Sequence, residues 1–113
     1  MSRATFLLVS DADLLEHWGR AVRNAFDGEV PYLVGSCLLR PDYRDVDVRL
    51  MLDDEAFGRL AAIVNIRALG VAFSIWGQKA TGLPIDFQVQ SVTEGNAIEG
   101  RRHALGIREA SAN

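Results

Sequence analysis

The stretch DVDVRLML, residues 45–52, alternates polar and apolar side chains along its whole length. Because successive side chains of a β-strand point to opposite faces of a sheet, this alternation predicts a strand with one polar and one apolar face. Two aspartates two residues apart, Asp45 and Asp47, project from the polar face together with Arg49. The stretch therefore predicts a strand that brings two carboxylates to one place.

A second alternating segment, IDFQV at residues 85–89, predicts another strand, with Asp86 on its polar face. Two strands that each have one apolar and one carboxylate-bearing face suggest a sheet with helices packed on one face only. The uncovered face is then a candidate cleft, in which Asp86 could join Asp45 and Asp47.

The other elements are predicted from helical spacing and from turn residues. Helices are expected from about residue 12 to about residue 26, after the acidic segment that starts at Asp53, and over about residues 66–79 with an interruption or bend near Gly70. A strand over residues 30–34 should end at Gly35-Ser36. The fold class is thus α/β of the α+β type, with a small mixed sheet.

Composition indicates a globular chain with one domain. Hydrophobic residues make up 49% and charged residues 24% of the 113 residues, which excludes disordered and fibrous classes. We expect a single domain over residues 1–100 and a polar, locally basic arm over residues 101–113, loosely packed. The arm could close over a nucleotide or contact an acceptor, and the alternative is a solvated tail.

Charge and hydropathy limit the partners. The net charge of -3 argues against a general attraction to nucleic acid. No apolar run reaches the roughly 20 residues needed to span a bilayer, and acidic residues come too early for a signal peptide, so a cytoplasmic location without membrane contact is expected. Cys37 is the only cysteine and is expected to be a small buried filler.

Three clustered carboxylates repel one another when they are ionised, and this repulsion lowers the stability of the fold. A bound cation would neutralise them and offset that loss. Mg²⁺ (or Mn²⁺) is the natural candidate, because it prefers oxygen ligands and leaves positions for water and substrate phosphates. No cluster of histidines or cysteines competes with this interpretation. The pattern Asp-x-Asp alone is not specific, since strands that face solvent often carry charge.

Three segments in this order resemble the nucleotidyltransferase superfamily of DNA polymerase β, which includes the minimal nucleotidyltransferases of prokaryotes. The segments are PYLVGS (31–36), DVDVR (45–49) and PIDFQ (84–88). In that family a strand ends in a Gly-Ser or Gly-Gly pair that opens a helix and holds the triphosphate. A second strand carries Asp-x-Asp or Asp-x-Glu, and a third carries one more carboxylate. The resemblance covers about residues 30–90.

The resemblance implies a nucleotidyltransferase fold, ATP or another nucleoside triphosphate as substrate, and release of pyrophosphate. It assigns phosphate binding to Gly35 and Ser36, and it assigns metal binding and catalysis to Asp45, Asp47 and Asp86. The acceptor, whether RNA, protein or small molecule, does not follow from it.

Two features depart from the family pattern. Residues 37–44 make the connection from Ser36 to Asp45 slightly shorter than usual. Arg49 stands where the family commonly has an apolar residue, and it is either a salt-bridge partner of the aspartates or a ligand of the triphosphate.

An inactive nucleotidyltransferase-like module is the main alternative to an enzyme. Such a module would bind nucleotide or a partner protein without turnover, as a regulatory or antitoxin-like subunit. Larger family members have a separate substrate-binding domain, which we do not expect in this chain, and a homodimer could supply the missing wall instead. The sequence does not determine the base preference or the oligomeric state.

Overall fold

The fold is a mixed four-stranded sheet with helices, as the sequence predicts. The computed structural model describes residues 5–97 and 100–107. In chain order its elements are α1 (Val9–Ala25), β1 (Pro31–Val34), a 3₁₀ turn (Ser36–Leu38), β2 (Val46–Leu52), α2 (Asp54–Ala61), α3 (Ile66–Thr81), β3 (Ile85–Ser91), α4 (Val92–Asn96) and β4 (His103–Ala104). The α+β class is therefore confirmed.

The sheet has the strand order β3-β2-β1-β4. The central pair, β2 and β3, is parallel, whereas β1 pairs antiparallel with both β2 and β4. The register places Asp47 beside Asp86 and also beside Val34. Side chains at matched positions of neighbouring strands point to the same face, so the predicted polar faces of β2 and β3 form one surface.

The opposite face of the sheet carries the core, under α1 and α3. Phe87 lies at its centre with 1% of its surface exposed, and its ring centroid is 5.2 Å from that of Phe73 and 5.9 Å from that of Trp18. The two helices approach closely at Gly77, where an added Cβ would lie 2.8 Å from Cζ2 of Trp18. A side chain at residue 77 would therefore push α3 away from α1.

Within the described part of the chain, the outer edge of β3 is bonded to α3 and not to another strand. The backbone N–H of Phe87 donates to Ser74 Oγ at 2.8 Å, and Gln78 Nε2 donates to the backbone oxygen of Ile85 at 3.0 Å. Gly70 permits the approach, because a Cβ there would lie 2.9 Å from the backbone oxygen of Phe87. Two helical side chains thus satisfy polar groups that an edge strand ordinarily exposes to solvent.

Two helix predictions need correction. First, α1 begins at Val9, with Leu8 as its N-cap, and therefore starts earlier than the expected position near residue 12. Second, α3 is continuous through Gly70, where an interruption or bend was expected. The reason is packing: Gly70 allows the helix to touch β3, and the contact with the sheet offsets the low helix propensity of glycine.

No single helix in the described ranges is long and apolar enough to cross a membrane. Only α2 and α3 taken together pass such a test of length and composition, and they are bent by 93° relative to each other. The buried residues of α3 are all small or polar, namely Gly70, Ser74, Gly77 and Thr81.

Part of the C-terminal arm belongs to the sheet. His103 and Ala104 form β4 beside β1, and Leu105 is buried with 2% of its surface exposed. The expected loose packing is therefore wrong for this part of the arm, because Leu105 packs against α1 at Gly19. Residues 108–113 lie outside the described ranges.

Candidate functional site

Two of the three predicted aspartates lie side by side on the polar face of the sheet. Asp47 and Asp86 occupy matched positions on the parallel strands β2 and β3. The side chain of Asp47 is 22% exposed, whereas that of Asp86, on the edge strand, is 44% exposed. The site therefore has a sheltered carboxylate in the middle of the sheet and a more accessible one at its edge.

Arg49 lies between these two carboxylates. Its Nη2 is 3.7 Å from Oδ1 of Asp47 and 3.5 Å from Oδ2 of Asp86. Its Nη1 donates to two backbone oxygens, that of Asp86 at 2.8 Å and that of Val48 at 3.1 Å. Of the two roles considered for Arg49, the structure places it as the salt-bridge partner, and its binding to a triphosphate stays a prediction.

Asp45 lies at the margin of the site. It is exposed and precedes the first residue of β2, so it is not held by the sheet as Asp47 is. Across residues 5–97 and 100–107, no three histidine, cysteine, aspartate or glutamate side chains are arranged as a metal-binding group. The structure thus brings Asp47 and Asp86 together and leaves Asp45 beside them.

Burial raises the pKa of the Asp47 carboxyl above its ordinary value, because a partly buried carboxylate loses hydration. Arg49 opposes this shift by stabilising the ionised form. The nearby charges of Asp86 and Asp45 raise the pKa again. The net shift is upward, so ionised Asp47 costs folding stability, and a cation at the site would offset that cost.

We expect Asp47→Asn to raise the melting temperature of the metal-free protein at neutral pH. Because the pKa of Asp47 is raised from 3.8 in the folded state, the folded protein binds this proton more tightly than the unfolded chain does. Stability is therefore lost as the pH rises from 3.8 through the raised pKa, and the variant avoids that loss. Thermal melts with EDTA between about pH 3 and about pH 7 should show the gain growing with pH. An equal gain at both ends would contradict this explanation.

The predicted phosphate-binding pair lies next to Asp47. Gly35 follows β1 with a φ of 80°, and a Cβ at that position would collide with the Asp47 carboxylate. Only glycine therefore fits here both by conformation and by space. Ser36 starts a 3₁₀ turn of three residues, and its side chain makes no hydrogen bond with any residue that the structure describes. Its hydroxyl is available to a ligand.

Cys37, the next residue of this turn, is buried as predicted. Its burial raises the pKa of the thiol to about 11, so the thiol stays protonated at neutral pH. Cys37 is accordingly a packing residue beneath the turn and takes no part in the chemistry of the site.

A cavity of about 250 Å³ opens beside these residues on the polar face. Gly35, Asp47 and Arg49 form its polar floor. The apolar wall of this cavity was not predicted from the sequence. It includes Met51, which the alternation of β2 places on the same face as Asp47. The other apolar lining residues are Val34 and Leu39, and the far side is formed by Arg101 and Arg102.

Comparison of the chain with protein-family models, with curated proteins and with solved structures finds no match.

Proposed function

We propose that the protein transfers a nucleoside monophosphate from a nucleoside triphosphate to an acceptor, with release of pyrophosphate and with Mg²⁺ (or Mn²⁺) as cofactor. One observation carries the proposal. Asp47 and Asp86 stand at matched positions on adjacent parallel strands, beside a turn in which glycine packs on the Asp47 carboxylate. This arrangement supports the roles that the sequence resemblance implies.

The donor set fits a hard divalent cation. The candidate ligands, Asp45, Asp47 and Asp86, offer only carboxylate oxygens, which Mg²⁺ prefers. Arg49 forms ion pairs with both Asp47 and Asp86, so one guanidinium faces two carboxylates, and this group of three side chains has one net negative charge when both carboxylates are ionised. When bound, Mg²⁺ would stabilise charge on the phosphates and lower the pKa of the acceptor hydroxyl.

Each protein group then has a distinct role. The Gly35 backbone and the Ser36 hydroxyl bind phosphate at the start of the 3₁₀ turn. Arg49 leaves the carboxylates when the cation binds and turns towards phosphate. Asp86 orients the acceptor hydroxyl, because it is the more exposed carboxylate and lies on the edge strand.

A second candidate function is nucleotide or protein binding without turnover, as a regulatory or antitoxin-like subunit. The ion pairs of Arg49 favour it, because the guanidinium already occupies the space between Asp47 and Asp86. In this case the guanidinium of Arg49 neutralises the two carboxylates permanently in place of a metal ion, and added metal does not change the stability of the protein. A homodimer is compatible with either candidate.

Metal binding distinguishes the two candidates. We expect millimolar Mg²⁺ or Mn²⁺ to raise the melting temperature of the wild type by several degrees, since a ligand at tenfold excess over its Kd stabilises by about 1.4 kcal/mol. The double variant Asp45→Asn with Asp47→Asn should lose this response. The matched control, Asp27→Asn with Glu55→Gln, makes the same charge change at exposed positions away from the site and should keep it.

Turnover is then measured by transfer of label from α-³²P nucleoside triphosphates to pools of RNA, protein and small molecules. Each base is tested separately with each metal. Identical metal responses of the wild type and the double variant at Asp45 and Asp47 would rule out the metal site. A metal response without transfer to any pool would favour the binding module.

A further inference from the structure

Residues 100–102, here named the arginine segment, cross the polar face of the sheet. The segment follows α4, which packs on Met51 of β2 at Gly95. It leads into β4, which lies on the far side of β1. Since β1 is next to β2, the segment passes above these two strands and closes one side of the 250 Å³ cavity.

Arg102 fixes the arginine segment in place. Its Nη2 donates to the backbone oxygen of Gly95 at 2.9 Å and to Oδ1 of Asn96 at 3.2 Å. These bonds join the segment to the end of α4, where helix carbonyl groups lack partners within the helix. Arg102 is thus engaged by the protein itself.

Arg101 forms no hydrogen bond or ion pair with any residue in the described ranges. It is exposed, it lines the same cavity as Asp47 and Gly35, and no hydrogen bond or ion pair links it to a described residue. The other two arginines of the cavity have partners: Arg49 pairs with aspartates, and Arg102 bonds to α4. Arg101 is therefore the guanidinium of this cavity that is available to an anionic ligand.

We propose that Arg101 binds the terminal phosphates of the nucleoside triphosphate in this cavity and stabilises the departing pyrophosphate. The inference rests on the proposed function and adds a residue from outside the segments that carry the family resemblance. A phosphate in the cavity meets Asp47 on the floor, and a guanidinium above the floor balances the charge that the carboxylate would repel. The apolar wall of the cavity, which includes Leu39 and Met51, accommodates the less polar part of the nucleotide.

The position of the cavity separates the nucleotide from the acceptor. The cavity is lined by Asp47 and Gly35 and reaches β3 at Gln90, whereas Asp86, at the other end of β3, is not part of its lining. In the transfer, the acceptor oxygen bonds to the α-phosphorus as the bond from that phosphorus to the bridging oxygen breaks. The electron pair leaves with pyrophosphate, and the acceptor proton passes to solvent. Arg101 therefore acts on the leaving group, and the acceptor approaches from the β3 side.

Binding of inorganic tripolyphosphate tests the inference without requiring turnover. Titration calorimetry with Arg101→Gln should show about tenfold weaker binding of tripolyphosphate and of ATP than the wild type, because one charge-assisted contact is lost. Affinity for AMP should be unchanged, since AMP has no terminal phosphates. The control Arg59→Gln removes an exposed arginine on α2 and should bind all three probes as the wild type does.

The outcomes separate this inference from the proposed function. Weaker tripolyphosphate binding by Arg101→Gln supports the anion site even if no acceptor pool is ever labelled. Unchanged affinities for tripolyphosphate and ATP overturn it, whether or not the wild type transfers nucleotide. Weaker binding of an RNA oligonucleotide, with tripolyphosphate binding unchanged, overturns it as well and assigns Arg101 to the acceptor. Because Arg101 is exposed, the variant should melt at the wild-type temperature.

Discussion

Asp86→Asn is expected to reduce nucleotidyl transfer by a factor on the order of 10³ while leaving triphosphate affinity close to that of the wild type. The triphosphate is assigned to the cavity that contains Gly35 and Asp47, and Asp86 does not line that cavity. We expect Arg49 to keep its place in the variant, because its shortest contact, at 2.8 Å, is with the backbone oxygen of residue 86, which asparagine also provides. Binding and turnover should therefore separate.

The measurement combines label transfer with nucleotide titration on the same protein preparations. Gln88→Ala is a matched control, since Gln88 is the next residue on the same face of the same edge strand and is exposed. It should keep both binding and transfer. Transfer by Asp86→Asn at the wild-type rate would remove Asp86 from the mechanism, and loss of triphosphate binding would place Asp86 in the nucleotide pocket.

Phe87→Ala is expected to destabilise the protein by about 3 to 5 kcal/mol, the usual cost of removing a large buried aromatic side chain. Phe87 is 1% exposed and packs against Phe73 and Trp18. The cavity left behind lies between the sheet and both long helices, which carry Trp18 and Phe73. At about 4 to 8 °C per kcal/mol, the melting temperature should fall by more than about 10 °C.

Urea unfolding followed by tryptophan fluorescence measures this loss, because the Trp18 ring centroid lies 5.9 Å from that of Phe87. The control Phe87→Leu fills most of the space and should cost less than half as much. A cost below about 1 kcal/mol for Phe87→Ala would contradict the central position of this ring in the core.

The strands β2 and β3 were predictable from the sequence because both alternate strictly. Every second residue of β2, from Val46 to Leu52, is buried, as the alternation requires. The same pattern predicted that Asp47 and Asp86 lie on polar faces. It did not predict that they lie side by side, because the pairing of two strands depends on the whole fold and not on either segment.

The partners of Arg49 and the pairing of the C-terminal arm with the sheet could not be predicted from the sequence, for a similar reason. Arg49 shares a strand face with Asp47, which left both of its possible roles open. Only the parallel register, which brings the backbone oxygen of Asp86 within 2.8 Å of Arg49, shows which partners it takes. In the arm, β4 has two residues, too few for alternation to reveal a strand.

The hydrogen bonds from α3 to β3 limit how a protein acceptor could reach the site. Many proteins capture an extended peptide by adding it as a new strand to an open sheet edge. Here the backbone at Ile85 and Phe87, on either side of Asp86, is already bonded to Gln78 and Ser74. Under the proposed function, we therefore expect a polypeptide acceptor to present its hydroxyl from a loop or a chain end and not to dock as an added strand beside Asp86.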